Sequence, residues 1–201
     1  ATLPVTLSIT SNAVIIDKYI DILKKAKVNK INISLDSLDR TKFKQITLRD
    51  QFEKVYDNIM LLISEGFKVK LNAVLIKGFN DNEIIDFIEL TKKLPISVRF
   101  IEFMPFSGNQ WDKSKLVSLK EVLQEVNTRY DETEVLRLKD APNDTSKNYK
   151  INDYKGSFAI ISTMTNPFCD SCNRIRLTAN GQIKNCLFSA TESDLLTPLR
   201  E

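Results

Sequence analysis

The sequence predicts an α/β fold, with a partial (βα) barrel of the TIM type over residues 1–130 and a smaller β-rich or irregular segment over residues 131–201. Strand-like and helix-like segments alternate in the first part, which is typical of right-handed βαβ units with a parallel sheet. The strand-like segments also alternate apolar and polar residues. After Arg129 the helical periodicity stops, and short strand-like segments separated by turn residues follow.

The strand-like segments of the first part cover residues 5–9, 30–35, 68–75 and 98–103. Each places apolar side chains on one face; in the last, Ile101 and Phe103 are assigned to that face, opposite Glu102 and Met104. One face is therefore expected to pack against helices, while the other lines a wet barrel interior. An antiparallel sheet with one solvent face alternates in the same way, but the long helical connections favour the barrel.

Functional side chains of βα barrels lie at the carboxyl ends of the strands. The polar faces of the predicted strands give six site candidates: Thr10, Ser34, Asp36, Asn72, Glu102 and Met104. Lys70 also projects to the polar face of its strand. Because a buried cation needs an anionic partner, Lys70 either contacts a bound anion or is a solvated lysine at a strand end.

Helix signals separate the strands. The predicted helices cover residues 15–26, 50–65, 80–93 and 118–129. The first is predicted from apolar residues at helical spacing. Each of the others begins with a capping residue followed three positions later by an acid: Asp50 and Glu53, Asn80 and Glu83, Ser118 and Glu121. Gly66 and Pro95 are predicted to end two of them.

The second part is expected to be mostly β or irregular. Residues 148–151 and 157–163 indicate two strands around a turn at residues 153–156. Leu177 and Ile183 flank the sequence Thr-Ala-Asn-Gly at residues 178–181, which is typical of a β-hairpin.

Composition excludes several classes of protein. Hydrophobic residues make up 42% of the chain and charged residues 27%, as in ordinary globular domains. The net charge of +3 comes from intermixed signs, so no nucleic-acid-binding stripe is expected. No apolar run is long enough to span a membrane and no secretory signal is found, which predicts a cytoplasmic protein. Both ends of the sequence are expected to be cuts in a longer protein.

Three cysteines, Cys169, Cys172 and Cys186, form a C-x2-C-x13-C pattern in a chain without histidine. The first two can bind one metal centre from a single turn, and the third follows a hairpin-sized segment. A structural zinc ion normally has four Cys or His ligands, which this sequence cannot supply. Three thiolates without a fourth fit an iron–sulfur cluster in which one iron is open to another ligand.

Other interpretations of the cysteines remain open. They can be buried as small apolar side chains. They can also hold zinc with Asp170 or a water molecule as the fourth ligand. A disulfide bond would leave one cysteine unpaired, and the odd count argues against an oxidising compartment.

Arg174 and Arg176 follow Cys172 at alternate positions, so an extended segment places both on one face. Two guanidinium groups beside an open metal site can bind a phosphate in a bidentate manner. They can equally offset the charge of a cluster or pair with Asp170. Together with Lys70, this set favours a substrate that carries both a phosphate and a metal-binding heteroatom, such as a nucleotide.

The run N-P-F-C-D-S-C-N-R-I-R-L at residues 166–177, with Asn180-Gly181 and C-L-F at 186–188, resembles the carboxyl-terminal cluster motif of the molybdenum cofactor biosynthesis protein A family. These are GTP 3′,8-cyclases of the radical S-adenosylmethionine (SAM) superfamily. Upstream runs are similar to the same family: I-N-I-S-L-D at residues 31–36, K-G-F-N-D at 77–81 and R-F-I-E-F-M at 99–104. The resemblance covers nearly the whole chain.

The resemblance implies an incomplete barrel of the radical SAM type and two [4Fe–4S] clusters. One cluster, with SAM, generates a 5′-deoxyadenosyl radical that takes hydrogen from the ribose C3′ of GTP. C3′ then bonds to C8 of guanine, and the product, 3′,8-cyclo-GTP, is a precursor of molybdopterin. Cys169, Cys172 and Cys186 would hold the other cluster, whose open iron binds the purine. Cyclic pyranopterin monophosphate synthase is the implied pathway neighbour.

The resemblance also implies roles for further residues, although it assigns no catalytic residue. The implied GTP contacts are Thr10, Lys70, Arg174, Arg176 and the backbone of Ile175, and the residues implied to line the SAM pocket are Ser34 and Met104.

Four departures from the family are clear. The SAM-cluster motif C-x3-C-x2-C, the Gly-Gly-Glu-Pro segment and the terminal Gly-Gly tail are absent, and Ala13 replaces a family glycine. This sequence alone is therefore expected not to cleave SAM. Without the two strands that carry those motifs in the family, a sheet edge would be open here, which would allow a homodimer to form.

Two rival functions remain. One is a nucleotide-binding module stapled by zinc and without catalysis. The other is a different radical SAM maturase, such as a peptide modifier, although those enzymes typically carry more cysteines in this part. The pair Arg174 and Arg176 beside Cys172 favours the nucleotide enzyme.

Overall fold

The structure is a computed structural model that describes residues 4–106 and 108–201. Within these ranges the strands are β1 (Ser8–Ser11), β2 (Lys30–Ser34), β3 (Lys68–Leu75), β4 (Ser97–Glu102), β5 (Val135–Arg137), β6 (Lys147–Ile151), β7 (Ser157–Ile161), β8 (Arg176–Leu177), β9 (Gln182–Lys184) and β10 (Ser193–Asp194). The helices are α1 (Ile20–Lys25), α2 (Arg40–Thr47), α3 (Phe52–Ser64), α4 (Ile84–Lys93), α5 (Leu119–Arg129) and α6 (Leu196–Arg200). Short 3-10 turns lie at Ile16–Tyr19, Asp81–Glu83, Lys113–Lys115 and Cys169–Ser171.

Most of these strands join one sheet, in the order β1-β2-β3-β4-β7-β6-β5. The first five in this order are parallel neighbours, and β6 and β5 pair antiparallel. The prediction of an α/β fold with a parallel sheet is therefore confirmed. Over the described residues the pairing runs linearly from β1 to β5, so closure into a TIM-like barrel stays a prediction.

The sheet continues across residue 130, where the sequence predicted a boundary between two parts. β7 lies parallel to β4, with Ser157 opposite Ser97, and β6 pairs with β7 as a hairpin. Beside the sheet, the hydroxyls of Tyr130 and Tyr154 each donate a 2.7 Å hydrogen bond to Glu89 of α4. Both parts thus contribute to one sheet, and the division into two domains stays a prediction.

The apolar core lies between one face of the sheet and the helices. On β2 and β3 the predicted alternation is confirmed, because Ile31, Ile33 and Leu71 are fully buried while the intervening side chains are not. Phe100 of β4 packs edge-to-face on Phe87 of α4, with ring centroids 6.2 Å apart. No helix in the described part of the chain is long and apolar enough to cross a membrane.

The face assignment of the fourth strand was wrong. Val98, Phe100 and Glu102 are the buried residues of β4, whereas Arg99 and Ile101 lie on the opposite face. Ile101 is apolar because it borders a cavity. A rule that assigns every apolar residue to the helix-facing side therefore puts Ile101 on the wrong face of β4.

Glu102, a predicted site residue, therefore points towards the core side. Its carboxylate is buried and accepts hydrogen bonds from the backbone N–H groups of Met164 and Thr165, at 2.7 and 3.0 Å. The hydroxyl of Thr165 donates to the same carboxylate. Glu102 is thus an anchor for the segment that follows β7, and its assignment to the site is corrected.

The first strand begins later than predicted. Its bounds are Ser8–Ser11, and Val5 and Leu7 are 64% and 50% exposed rather than packed against helices. Ser8 is the first residue that pairs with β2, opposite Lys30. Residues before it have no strand neighbour among the described residues, so their alternation does not produce a buried face.

Helix positions were predicted better than helix starts. The Ser118–Glu121 capping box of α5 is present. Asp50, in contrast, does not cap α3; its carboxylate binds Arg40 and Lys44, 3.0 and 3.1 Å away. The predicted helix over residues 15–26 is a 3-10 turn followed by the short α1, and α2 was not predicted.

Asn80 also does not cap a helix. Its buried amide nitrogen donates to the carbonyls of Asp36 and Val74, at 2.6 and 2.8 Å, and its oxygen accepts from the N–H of Ile76. Asn80 therefore ties the loop after β3 to the loop after β2. Local sequence cannot show the bond to Asp36, because that residue lies 44 positions earlier in the chain.

Ala13, which replaces a family glycine, keeps a left-handed backbone with φ of 60°. It is fully buried, and its carbonyl accepts a 2.6 Å hydrogen bond from Asn58 of α3. The loop after β1 is thus held in a conformation that favours glycine, in spite of the added methyl group.

Gly156 allows the β6–β7 turn to approach the turn before β4. A Cβ atom at this position would lie 2.2 Å from the carbonyl oxygen of Ile96 and 2.8 Å from that of Leu94. Gly156→Ala is expected to lower the free energy of unfolding by about 3 kcal/mol or more, measured by urea denaturation. Gly78→Ala is the comparison, because its Cβ meets open space and only the positive φ costs about 1 kcal/mol. Equal losses in both variants would contradict this account.

Glu121 gives the fold a defined acid sensitivity. The ammonium of Lys77 and the N–H and hydroxyl of Ser118 lower the pKa of Glu121 to about 2. Because this folded-state pKa is depressed, the stabilisation is present above the ordinary pKa of about 4.5 and is lost as pH falls towards about 2. Glu121→Gln keeps a capping group but loses the charge, so near neutral pH we expect a loss of about 1 kcal/mol after allowing for solvent screening. Denaturation across this pH range should show that the difference in free energy of unfolding between Glu121→Gln and wild type shrinks as pH falls. A difference that stays constant would refute the assignment.

Candidate functional site

A cavity of about 210 Å³ lies at the carboxyl ends of β4 and β7. Ile101 and Met104 line it from the β4 side, and Ile161 and Thr163 line it from the β7 side. The remaining wall includes all three cysteines and both predicted phosphate-binding arginines: Cys169, Cys172, Cys186, Arg174 and Arg176. Six of the residues predicted for a site are therefore brought to one place, although they are spread from position 104 to position 186.

Two local turns place the cysteines on this cavity. A 3-10 turn at Cys169–Ser171 closes through a 3.1 Å hydrogen bond from the N–H of Cys172 to the carbonyl of Cys169. The predicted hairpin is present, with β8 and β9 antiparallel and Gly181 at φ of 78°. This hairpin reverses the chain, so Cys186 reaches the same wall as the first two cysteines.

The exposure of the thiols excludes two of the interpretations that the sequence left open. All three cysteines are exposed and unbonded to one another, so they are neither buried apolar residues nor a disulfide pair. Within the described ranges, no three Cys, His, Asp or Glu side chains are grouped so that they could hold one metal ion. A single zinc ion needs sulfurs about 2.3 Å from one centre. A [4Fe–4S] cluster binds each thiolate through a different iron, and such a cluster at these three cysteines stays a prediction.

Arg174 is attached to this wall by two contacts. Its guanidinium donates to the sulfur of Cys172 at 3.4 Å and lies 4.9 Å from the ring centroid of Phe168. The Arg174 N–H, followed by its guanidinium, lowers the pKa of the Cys172 thiol. A lower pKa favours the thiolate, which is the form that binds metals. Among the described residues Arg174 and Arg176 form no ion pair with Asp170.

Ile175 lies between these two arginines but does not line the cavity. Its side chain is 74% exposed, as expected for the odd member of an extended segment. Any contribution of its backbone to a ligand stays a prediction.

Thr10 and Lys70 lie away from the cysteine cavity, on the polar face of the sheet. The strand register places Thr10, Asn32, Lys70 and Ser97 in one row across β1 to β4. Asn32 donates a 3.4 Å hydrogen bond to the hydroxyl of Thr10. Ser34 lies two residues further along β2, in a row with Asn72 and Arg99. The face is continuous, but the structure does not bring Thr10, Ser34 and Lys70 into the cysteine cavity.

Arg99 is the functional candidate that the sequence analysis missed. It is largely buried beside Lys70, and its Nε atom has no hydrogen-bond partner among the described residues. Burial and then the charge of Arg99 lower the pKa of Lys70, while Asp144 acts against this shift. The sequence could have shown this placement. Val98 and Phe100 are apolar and alternate with Arg99, so Arg99 lies on the polar face of β4.

The remaining two candidates differ from each other. The carboxylate of Asp36 accepts a 2.8 Å hydrogen bond from the N–H of Val74, and burial raises its pKa. Asp36 therefore holds the end of β3. The side-chain oxygen of Asn72 is buried without a hydrogen-bond partner among the described residues, so it is still able to accept one from a ligand.

The contact between Arg174 and Cys172 can be tested in the metal-free protein. Arg174→Gln is expected to raise the pKa of the Cys172 thiol towards its ordinary value. Alkylation of Cys172 near neutral pH should then slow by roughly twofold to threefold, because the backbone N–H remains. Peptide mass spectrometry would follow each cysteine, with Arg176→Gln as the matched control. A slower reaction of all three cysteines would show a general structural change and contradict the specific contact.

Solved structures support the fold. A structure of SuiB from Streptococcus suis bound to S-adenosylmethionine superposes with a TM-score of 0.65 at 17% identity, covering 93% of this chain and 45% of that one. A second structure of SuiB gives a TM-score of 0.63. At this identity the similarity concerns the fold alone.

Relatives with similar sequences carry consistent names. The molybdenum cofactor biosynthesis protein moc-5 of Caenorhabditis elegans is 44% identical over 96% of this chain and 32% of its own length. The mitochondrial GTP 3′,8-cyclase of Arabidopsis thaliana is 44% identical over 96% of this chain and 50% of its own. The GTP 3′,8-cyclase of Desulforamulus reducens is 40% identical over 97% and 60%. The chain thus spans about a third to three fifths of these relatives.

Two family matches divide the chain between them. Residues 3–91 match the Radical SAM superfamily, and residues 96–201 match Molybdenum Cofactor Synthesis C. The second match contains the cysteine turn, the hairpin and both arginines, and it covers more than half of the sequence. The chain therefore belongs to the Molybdenum Cofactor Synthesis C family.

Proposed function

We propose that the protein to which this chain belongs is a GTP 3′,8-cyclase of molybdenum cofactor biosynthesis, which converts GTP to 3′,8-cyclo-GTP by radical SAM chemistry. The observation that carries the proposal is the single cavity that unites Cys169, Cys172 and Cys186 with two guanidinium groups. The names of the relatives and the two family matches support the same activity.

The three cysteines would hold a [4Fe–4S] cluster on the cavity wall. Such a cluster, when bound, supplies one iron without a protein ligand, to which a purine nitrogen or oxygen can bind. Arg174 keeps the Cys172 thiol in a state that favours the thiolate, and the ring of Phe168 holds that arginine in place. Ile101, Ile161 and Met104 give the cavity an apolar side that can cover a base.

The phosphates of GTP would be bound by cations outside the apolar wall. Lys70 and Arg99 lie in adjacent rows of the polar face, and burial disfavours both charges unless an anion is present. The hydroxyl of Thr10 lies in the same row as Lys70. Because the cysteine cavity and this row lie at different ends of one face, a ligand with an aromatic base and a phosphate tail fits better than either group alone.

The remaining assignments extend this proposal to the whole protein. Ser34 and Met104, at the carboxyl ends of β2 and β4, would line the pocket for SAM. The second cluster and the remaining strands of a radical SAM barrel would belong to other parts of the protein. The product, 3′,8-cyclo-GTP, would be the substrate of cyclic pyranopterin monophosphate synthase. The exposed strand β1 is an available edge for a homodimer. Three unbonded thiols suit the reducing cytoplasm.

Anaerobic reconstitution tests the cluster and the nucleotide together. We expect about four irons and four sulfides per chain, and addition of GTP should change the cluster's spectrum. Cys186→Ser should lose most of the iron because it removes one of three ligands, whereas Ser189→Ala, in the same segment, should retain it. One zinc per chain, or a spectrum that does not respond to GTP, would reject the cyclase in favour of a zinc-stapled module.

A further inference from the structure

A second groove, of about 590 Å³, crosses the amino ends of β3, β4 and β7. It is thus at the end of the sheet opposite the cysteine cavity. Three turns build its wall: residues 66–68 before β3, residues 95–97 before β4, and residues 155–157 before β7. Gly156 permits the last two turns to touch, since a Cβ atom there would lie 2.2 Å from the carbonyl oxygen of Ile96, and the N–H of Ser157 donates a 3.0 Å hydrogen bond to that oxygen.

Lysines dominate the polar lining of this groove. Lys68, Lys70, Lys150 and Lys155 line it, and its lining contains no aspartate or glutamate. Lys30 adds a fifth positive charge, because it lies directly opposite Lys68 on the neighbouring strand. Over the described residues none of these five lysines takes part in an ion pair, although lysines elsewhere in the chain do, such as Lys24, Lys42, Lys54, Lys77, Lys147 and Lys184.

This arrangement opposes folding rather than assisting it. Lys30 and Lys68 lie opposite each other on neighbouring parallel strands, so their like charges repel and contribute nothing to the stability of the sheet. Burial and the charges of Arg99 and Lys30 both disfavour the ammonium of Lys70. A set of unpaired cations around one groove is therefore better explained by an anionic ligand than by stability of the chain.

The residue type indicates which anion. Ammonium groups are point charges on flexible stems, and they bind phosphate oxygens without the planar geometry that guanidinium groups impose. Charges spread along a groove fit an extended chain of phosphates better than a single phosphate. Lys70 links the groove to the row that contains Thr10, so an anion held in the groove lies next to the polar face.

We propose that this lysine groove is a capture site for the polyphosphate tail of the nucleotide substrate, which it receives at the amino ends of the strands before Lys70 binds it on the polar face. The proposal rests on the proposed function for the identity of the nucleotide. The groove itself would recognise only the charge and the length of a phosphate chain, so it should bind inorganic tripolyphosphate as well.

Titration calorimetry with sodium tripolyphosphate tests the groove on the full chain. In the variant Lys68→Gln/Lys150→Gln/Lys155→Gln we expect the dissociation constant to rise about tenfold or more, and its dependence on salt to weaken. The matched control is Lys25→Gln/Lys113→Gln/Lys120→Gln, which removes three exposed lysines that lie outside the groove and should bind as wild type does. Equal weakening in both variants, or none in the first, would overturn the proposal. Tighter binding of an acidic peptide than of tripolyphosphate would also overturn it.

Stopped-flow association of GTP with the reconstituted protein tests the capture step. The groove variant should lower the association rate constant by roughly tenfold and leave the dissociation rate constant nearly unchanged. An unchanged association rate would refute capture even if GTP still reacts, and the proposed cyclase would stand. Conversely, tripolyphosphate binding that depends on the three lysines in a protein that never binds GTP would support the groove as an anion site and reject the cyclase.

Discussion

The site of this protein depends on the parallel pairing of β7 with β4. This pairing sets the ends of the two strands side by side, so that residues 101–104 and 161–163 face one cavity. The buried carboxylate of Glu102 then holds the chain that leaves β7, through the N–H groups of Met164 and Thr165. Because the cysteine turn begins only a few residues later, the position of the whole cysteine-bearing segment follows from one strand pair and one carboxylate.

Charge is distributed unevenly over the polar face of the sheet. Its carboxyl end carries thiols and the guanidinium groups of Arg174 and Arg176, and its amino end carries the lysine groove. Lys70 and Arg99 lie between these ends, half-buried and without an ion pair among the described residues. A folded chain that keeps cations in such places loses stability unless a ligand compensates them, and this is the physical basis for proposing that the face binds an extended anion. The apolar face, in contrast, holds the core and carries the stability of the fold.

Side-chain contacts outside the capping pattern were the features that local patterns did not predict. Asp50 and Asn80 have the residue type and spacing of helix caps, but Asp50 pairs with two basic residues of α2, and Asn80 binds the loop after β2 and the end of β3. Ser118 and Glu121 have the same spacing and do form a capping box, and the ion pair of Lys77 with Glu121 leaves that box intact. The error in β4 has a similar origin. Ile101 is apolar because it borders a cavity, and its neighbour Glu102 is buried because two backbone N–H groups meet it there.

The sequence by itself determined the α/β order of the chain, the strands of the parallel sheet, the hairpin at Gly181 and the cysteine motif with its two arginines. These features follow from periodicity and spacing, which local residues control. Only the tertiary structure decided that β7 joins β4, that Cys186 shares a cavity with Met104, that Arg99 belongs to the polar face and Glu102 to the core, and that four lysines line one groove. Those decisions depend on contacts between residues far apart in the chain, and the free energy of such contacts is not contained in any local window of sequence.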